Sequence, residues 1–319
     1  MSPAREGLDT GNRVTAQRWA RLLRDLGHRV TVRPEYDGHP SDMLVALHAR
    51  KSFASLERFR RERPGKPVVV ALTGTDLYGD IRTSPEAQRS LELADRLLLL
   101  QPTGLEELAL PERAKAWTIY QSATRPRGRF PPRRDVFEVL VLGHLRPVKD
   151  PLRAAAAARL RPASSRLRVL QVGAALTPEV AGAARHEEET NPRYQWLGPL
   201  PRWRALRLLA RVRALVLTSQ AEGGANVISE AVACAVPVLS SRIPGSTGIL
   251  GSDYPGYFEV GDAEGLATLL ARAEDKPSFL ADLRRRVRSL SSLVSPARER
   301  DSWRRLLRDL SRLDTPGMC

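Results

Sequence analysis

Cysteine and lysine are scarce in this chain, and it has no long apolar run. Its two cysteines, Cys234 within an apolar stretch and Cys319 at the last position, cannot build a disulfide framework or a four-ligand zinc site, and both read as ordinary thiols. No segment approaches the roughly 20 apolar residues that span a bilayer. The opening Met1-Ser2-Pro3-Ala4-Arg5-Glu6 lacks the apolar stretch of a signal peptide, so a cytoplasmic protein with no membrane insertion is expected. No Asp-x-Asp element stands at a predicted strand end, so the sequence asks for no metal and no cofactor.

What the chain has in excess is arginine. Basic residues number 51 against 36 acidic ones, a net charge of +15, which raises the question of nucleic acid. Only Lys51, Lys66, Lys115, Lys149 and Lys276 are lysine, leaving 46 arginines. Many alternate with acids along helical segments, as in Arg58-Phe59-Arg60-Arg61-Glu62-Arg63, although Arg284-Arg285-Arg286-Val287-Arg288 is purely basic. Solvated helix faces account for most of this surplus. No zinc finger, RNA-recognition signature or basic zipper accompanies it, so no nucleic-acid partner is expected, and attraction of small anions fits the same charge.

The 319 residues, 42% of them hydrophobic, are enough for two domains of ordinary size. Strands are expected at residues 28–33, 43–47, 68–72, 96–100 and 117–120, and in a second series at 136–142, 167–172, 214–218 and 237–240. Near-continuous apolar strands separated by helical patterns indicate parallel sheets covered on both faces, hence an α/β fold of two doubly wound, Rossmann-like domains facing across a cleft. Residues 124–134 contain three prolines and no apolar period, and read as the linker. The expected division is 1–123, a first Rossmann-like domain; 124–134, the linker; 135–295, a second Rossmann-like domain; and 296–319, a terminal helix and tail that packs on either domain. Gly7-Leu8-Asp9-Thr10-Gly11-Asn12 resembles a loop between a first strand and a first helix, yet only six residues precede it, so the first strand is expected to be missing.

In open α/β sheets ligands sit beyond the carboxyl ends of strands. One such loop is Ser219-Gln220-Ala221-Glu222-Gly223-Gly224-Ala225-Asn226-Val227-Ile228-Ser229-Glu230. Gly223 and Gly224 let a ligand approach the backbone, and a helix starting near Ala225 and Asn226 points amides at a phosphate. Glu222 and Glu230, with seven residues between them, can flank one ligand, and carboxylates accept sugar hydroxyls well. The plainer alternative makes Glu222 a helix cap and Glu230 a solvated acid. The apolar run 231–236 after Glu230 argues against it.

A second loop is Gly143-His144-Leu145-Arg146-Pro147-Val148-Lys149-Asp150-Pro151. Asp150 is expected as N-cap with Pro151 at the first helical position, leaving Arg146 and Lys149 on a strand-to-helix loop. In an arginine-rich chain a lysine here suits bridging phosphate oxygens. Surface charge on a turn is the alternative. A third loop, residues 242–248, offers glycines and hydroxyls to a phosphate or sugar, or is only a glycine-rich turn. Gly11 and Asn12, with Asn12 as N-cap, present amides beside Arg13 and Arg18, which suits a small charged anion. His48 and Asp76 stand at strand ends, where either orients a hydroxyl, acts as a base or is structural.

The two glutamates, with Gly143 and Lys149, resemble the retaining glycosyltransferases of the large sucrose-synthase-like family, family 4, which have the glycosyltransferase B fold. The resemblance implies that Glu230 holds the ribose hydroxyls of a nucleotide sugar, Lys149 neutralises the leaving diphosphate and Glu222 faces the sugar. His144 takes the usual arginine position and Arg146 is displaced by two, so either contacts the diphosphate. Segments 11–19, 47–52, 72–78 (with Thr75 and Asp76), 120–122, 143–151 and 223–230 together resemble the selenosugar synthases of selenoneine biosynthesis. That narrower resemblance implies transfer of a sugar, such as N-acetylglucosamine, from a UDP-sugar to selenophosphate, with Gly11, Asn12, Arg13, Arg18, Thr75 and Asp76 on the acceptor side and His48 and Glu222 beside the chemistry. A conventional transferase with an alcohol acceptor shares every donor-side feature.

Overall fold

The structure is a computed structural model that describes residues 1–3 and 11–313. Chain contacts divide it into two units. One comprises residues 1–121, 222–224 and those from 296 onward; the other comprises 122–221 and 225–295.

The first unit holds a four-stranded parallel sheet in the order β1 (Leu44–Leu47), β2 (Val68–Leu72), β3 (Arg96–Leu99), β4 (Ala116–Thr118). Every residue of β2 is buried, as expected of a strand covered on both faces. Alternate side chains serve opposite layers. Val68, Val70, Leu72, Leu97 and Leu99 pack with Leu56, Phe59, Ala87 and Leu91 of helices Ala49–Glu62 and Pro85–Leu93. Val69, Ala71 and Leu98 pack with Trp19, Leu22 and Leu23 of helix Gly11–Asp25 and with Trp303, Leu306 and Leu310 of helix Pro296–Leu313. Burying each such large side chain contributes roughly 1.5–3 kcal/mol. The terminal helix is therefore part of this unit's core.

Residues 28–33 form no strand. They have the β-branched alternation, but among the described residues no strand lies beside them, and a strand needs a partner. The outer edge of β1 is met by Met1, which donates to Val45 O at 2.6 Å and accepts from Leu47 N at 3.1 Å, while Ser2 N donates to Arg33 O. The expected first-strand loop at residues 7–10 lies outside the described residues, as does Cys319.

The second unit holds a six-stranded parallel sheet in the order β10 (Tyr257–Phe258), β9 (Val238–Ser241), β8 (Ala214–Leu217), β5 (Phe137–Leu142), β6 (Leu167–Val172), β7 (Tyr194–Trp196). The chain builds outward from β5 to β7, then returns to the other side of β5 with β8. The order thus reverses between β5 and β8, the topological switch point at which open α/β sheets bind ligands. Among the described residues no helix is long and apolar enough to cross a membrane.

Candidate functional site

The loops following β5 and β8 meet at that switch point. Gln220 N donates to Val148 O and Thr218 Oγ1 to Lys149 O, both at 2.8 Å, so main-chain bonds fasten the Lys149 turn to the end of β8. Before this turn, Leu145 is fully buried and bridges Ala175, setting His144 and Arg146 on either side of it. His144 Nδ1 accepts from Ala174 N at 3.2 Å, which leaves the ring proton on Nε2. Arg146 is exposed. A Cβ on Gly143 would meet no protein atom within 4 Å, whereas one on Gly173 would lie 2.0 Å from the Gly143 carbonyl oxygen. Gly173, at the end of β6 with φ +151°, is thus the glycine that lets the Gly143 backbone pass.

Asp150 is not the helix cap expected from the sequence. It adopts a left-handed φ of 42° after the short turn Pro147–Lys149, and its carboxylate accepts from Arg153 Nε at 2.8 Å. The helix begins only at Arg153, capped by Leu152 without a side-chain bond. Asp150-Pro151 ends one turn rather than opening the next, and the Lys149 loop is correspondingly longer.

After β8, helix Asn226–Cys234 starts at Ala225 without a side-chain cap. Glu230 lies in its second turn, only 4% exposed, so it is not a solvated acid. Its Oε1 is 2.6 Å from Arg202 Nη2, on the helix Arg202–Arg211 packed alongside. One turn further on, burial and the Glu230 charge push the Cys234 thiol up to about 11, which makes it a poor nucleophile.

In the first unit, Asp76 is fully buried and accepts three backbone N–H bonds: Oδ1 from Thr73 at 2.9 Å and Gly74 at 2.8 Å, Oδ2 from Ala49 at 3.0 Å. It clamps the loop after β2 to the start of helix Ala49–Glu62. His48 precedes that helix with a φ of 78°, a strained conformation for a non-glycine residue. Its Nε2 is 3.2 Å from Thr75 Oγ1 and 3.7 Å from Asp80, and Asp80 in turn pairs with Arg50 Nε at 3.0 Å. Burial holds the His48 imidazole below the ordinary histidine range, against the upward pull of Asp76.

Residues 222–224 join this group. A Cβ on Gly223 would lie 2.4 Å from the Thr73 carbonyl carbon, and one on Gly224 would lie 2.4 Å from Leu100 Cβ. Both glycines are required by packing on the ends of β2 and β3, and they set Glu222 at the Thr73–Gly74 loop. The structure therefore gathers His48, Thr75, Asp76, Glu222, Gly223 and Gly224 in one unit, and Gly143, His144, Arg146, Lys149, Ala225, Asn226 and Glu230 in the other.

Gly11, Asn12, Arg13 and Arg18 fall on helix Gly11–Asp25, with Asn12 inside the first turn rather than capping it. Arg18 Nε lies 3.3 Å from Oε1 of the buried Glu299, which also accepts from Trp19 Nε1 at 2.8 Å. The Arg18 guanidinium is thus engaged in holding the terminal helix. Gln121 donates to Thr15 Oγ1 at 2.6 Å, in the same turn. The glycine-rich stretch at 242–248 is mostly helical, Pro244–Leu250, and Ser246 is turned inward onto Ser240. Sequence reasoning missed Arg202, Gly173, Glu299 and Asp80. Only Arg202 carries a local signal, a cation in the first turn of a helix, where the dipole disfavours it.

A cavity of about 910 Å³ in the first unit, between helix Gly11–Asp25, residues 27–43 and β1, is lined by none of His48, Thr75 and Asp76.

Two parallel-sheet α/β units, one with the Lys149 turn and the Glu230 helix at its switch point, have the architecture of the glycosyltransferase B fold. The family model described as "Glycosyl transferases group 1" matches residues 125–290, more than half of the chain, and the chain belongs to that family. No curated protein matches it significantly in sequence. Among solved structures it is similar to HepE of Anabaena in complex with UDP and glucose (16% identity, 84% of this chain and 78% of that one, TM-score 0.70). It is also similar to a UDP-forming α,α-trehalose-phosphate synthase of Burkholderia xenovorans in complex with glucose-6-phosphate (16%, 94% and 77%, TM-score 0.68). A third is sucrose-phosphate synthase of Thermosynechococcus elongatus (17%, 85% and 74%, TM-score 0.67).

Proposed function

We propose that this glycosyltransferase takes its sugar from a UDP-sugar, with N-acetylglucosamine as the first candidate, and transfers it to selenophosphate. The observation that carries the donor half is the bonded pair of loops at the β5–β8 switch point, which brings Gly143 and Lys149 to the same strand ends as the helix bearing Glu230. The complexes of HepE with UDP and the UDP-forming trehalose-phosphate synthases support UDP as the nucleotide.

In this reading Lys149 and the Nε2–H of His144 neutralise the leaving diphosphate, Ala225 and Asn226 offer amides to it, and Glu230 accepts the ribose hydroxyls. Glu222 faces the sugar. His48, kept neutral by burial, acts beside the chemistry by orienting the Thr75 hydroxyl through Nε2 rather than as a strong base. The acceptor half rests on the motifs at 11–19, 47–52, 72–78 and 143–151 and on the chemistry of selenophosphate. That anion is already ionised, so it needs positioning and a stabilised leaving group more than proton removal. Selenium attacks the anomeric carbon, the carbon–selenium bond forms, and the carbon–oxygen bond to UDP breaks with its electron pair leaving on UDP. Gly11, Asn12 and Arg13 remain the seat for the acceptor's phosphate, with Arg18 shared with Glu299.

UDP release from UDP-N-acetylglucosamine, measured with selenophosphate and separately with sugar alcohols, tests the acceptor. Release that depends on selenophosphate supports the reading. Equal or faster release with alcohols means a conventional transferase.

A further inference from the structure

We propose that Arg202 is the positioning residue for Glu230 and thereby sets the preference of the donor site for a nucleotide carrying its ribose hydroxyls. This rests on the reading of Glu230 given above. The ion pair is asymmetric: Arg202 is 42% exposed and the carboxylate only 4%. A carboxylate taken out of water is costly unless paired, and Arg202 Nη2, at 2.6 Å, supplies the partner from the solvent side.

The placement of Arg202 is not explained by its own helix. It is the first residue of Arg202–Arg211, after Pro201, with no acid in the first turn. A cation there works against the helix dipole. Its neighbours Arg204 and Arg207 stack on the exposed ring of Trp203, at 5.1 and 4.9 Å, whereas Arg202 turns to Glu230. In a chain that places most arginines on solvated faces, this one reaches a nearly buried carboxylate on another helix. Fixing Oε1 selects one rotamer of a long side chain, so a hydroxyl meets a carboxylate already in position. Supporting residues of this kind commonly change function without touching ligand.

The experiment compares dissociation constants of UDP and 2′,3′-dideoxy-UDP by calorimetry in the wild type, Arg202→Met, Arg202→Lys and Glu230→Gln. The wild type is expected to prefer UDP by about tenfold or more. Arg202→Met should lose most of that preference while its affinity for the dideoxy nucleotide stays within about twofold, and Arg202→Lys should retain part of it. An unchanged preference in Arg202→Met overturns the inference. So does equal weakening of both nucleotides, which marks general damage to the unit. If Glu230→Gln itself keeps the wild-type preference, or the wild type has none, the assignment of Glu230 fails first. If Glu230→Gln loses the preference and Arg202→Met does not, only the role of Arg202 fails.

Discussion

Gly223 and Thr73 meet backbone to backbone: a Cβ on Gly223 would come within 2.4 Å of the Thr73 carbonyl carbon and 2.6 Å of Gly74 N. Neither atom is the end of a flexible side chain, so the loop bearing Glu222 can lie on β2 only while residue 223 has no side chain. Gly223→Ala should force the segment off the first unit. Overpacking of this kind costs about 1–3 kcal/mol, and displacing Glu222 should lower turnover by about tenfold or more. Steady-state kinetics and urea unfolding check both effects. Wild-type turnover in the alanine variant would show that the 222–224 contact does not position anything the reaction uses.

Glu299 is the buried centre of a second relationship, accepting from Trp19 Nε1 and pairing with Arg18, with Trp303 edge-on to Trp19 at 5.1 Å. Glu299→Ala removes the carboxylate that the buried indole N–H of Trp19 and the Arg18 guanidinium both use. Removing one partner of a buried pair costs about 3–5 kcal/mol; Arg18 retains some solvent contact, so about 2–4 kcal/mol is expected here. Glu299→Gln, which keeps an acceptor for Trp19, should cost less. Chemical denaturation separates the two variants, and an alanine variant as stable as the wild type would mean that the terminal helix is held by its apolar face alone.

His48 and Lys149 should differ in kind. Burial lowers the His48 pKa below 6.5, so the ring is neutral in the folded state at neutral pH and gains its proton only in acid. A group that is neutral above its lowered pKa contributes no inflection between pH 6.5 and 8, and its protonation should reduce both activity and stability as pH falls below that range. A pH–rate profile of the wild type beside His48→Gln checks this. Lys149→Ala removes leaving-group stabilisation and should cost about a hundredfold or more, with His48→Ala costing less. Equal or reversed losses would make His48, not the diphosphate loop, the centre of the chemistry.

Much of this was legible in the sequence because it is local. The unbroken apolar run of β2 and the strand β5 announce parallel strands buried on both faces, whereas Gly223-Gly224, read from the sequence as room for a ligand beside the backbone, is packed on the chain's own Thr73, Gly74 and Leu100. The partners of those glycines, Thr73 and Leu100, lie far away along the chain and leave no local mark. The same holds for Arg18 with Glu299, since an arginine that pairs inside the molecule has the same neighbours in sequence as one that faces water; Arg202 is marked only as a cation opening a helix, which does not name Glu230 as its partner. Residues 28–33 show the converse. Their alternation is right for a strand, but a strand exists only where another lies beside it. Asp150-Pro151 has the residues of a helix start, yet the left-handed Asp150 backbone and the bonds tying Val148 and Lys149 to β8 postpone the helix to Arg153.

The most direct test of the central claim is the product itself. The purified protein is incubated with UDP-N-acetylglucosamine and selenophosphate, and the mixture is followed by mass spectrometry. The account predicts UDP together with a sugar bearing the selenium isotope pattern, both formed about a hundredfold more slowly when Lys149→Ala replaces the wild type and more slowly with Glu230→Gln. Intact, folded protein that forms no selenium-containing sugar, or that forms UDP only with an alcohol acceptor, would contradict it.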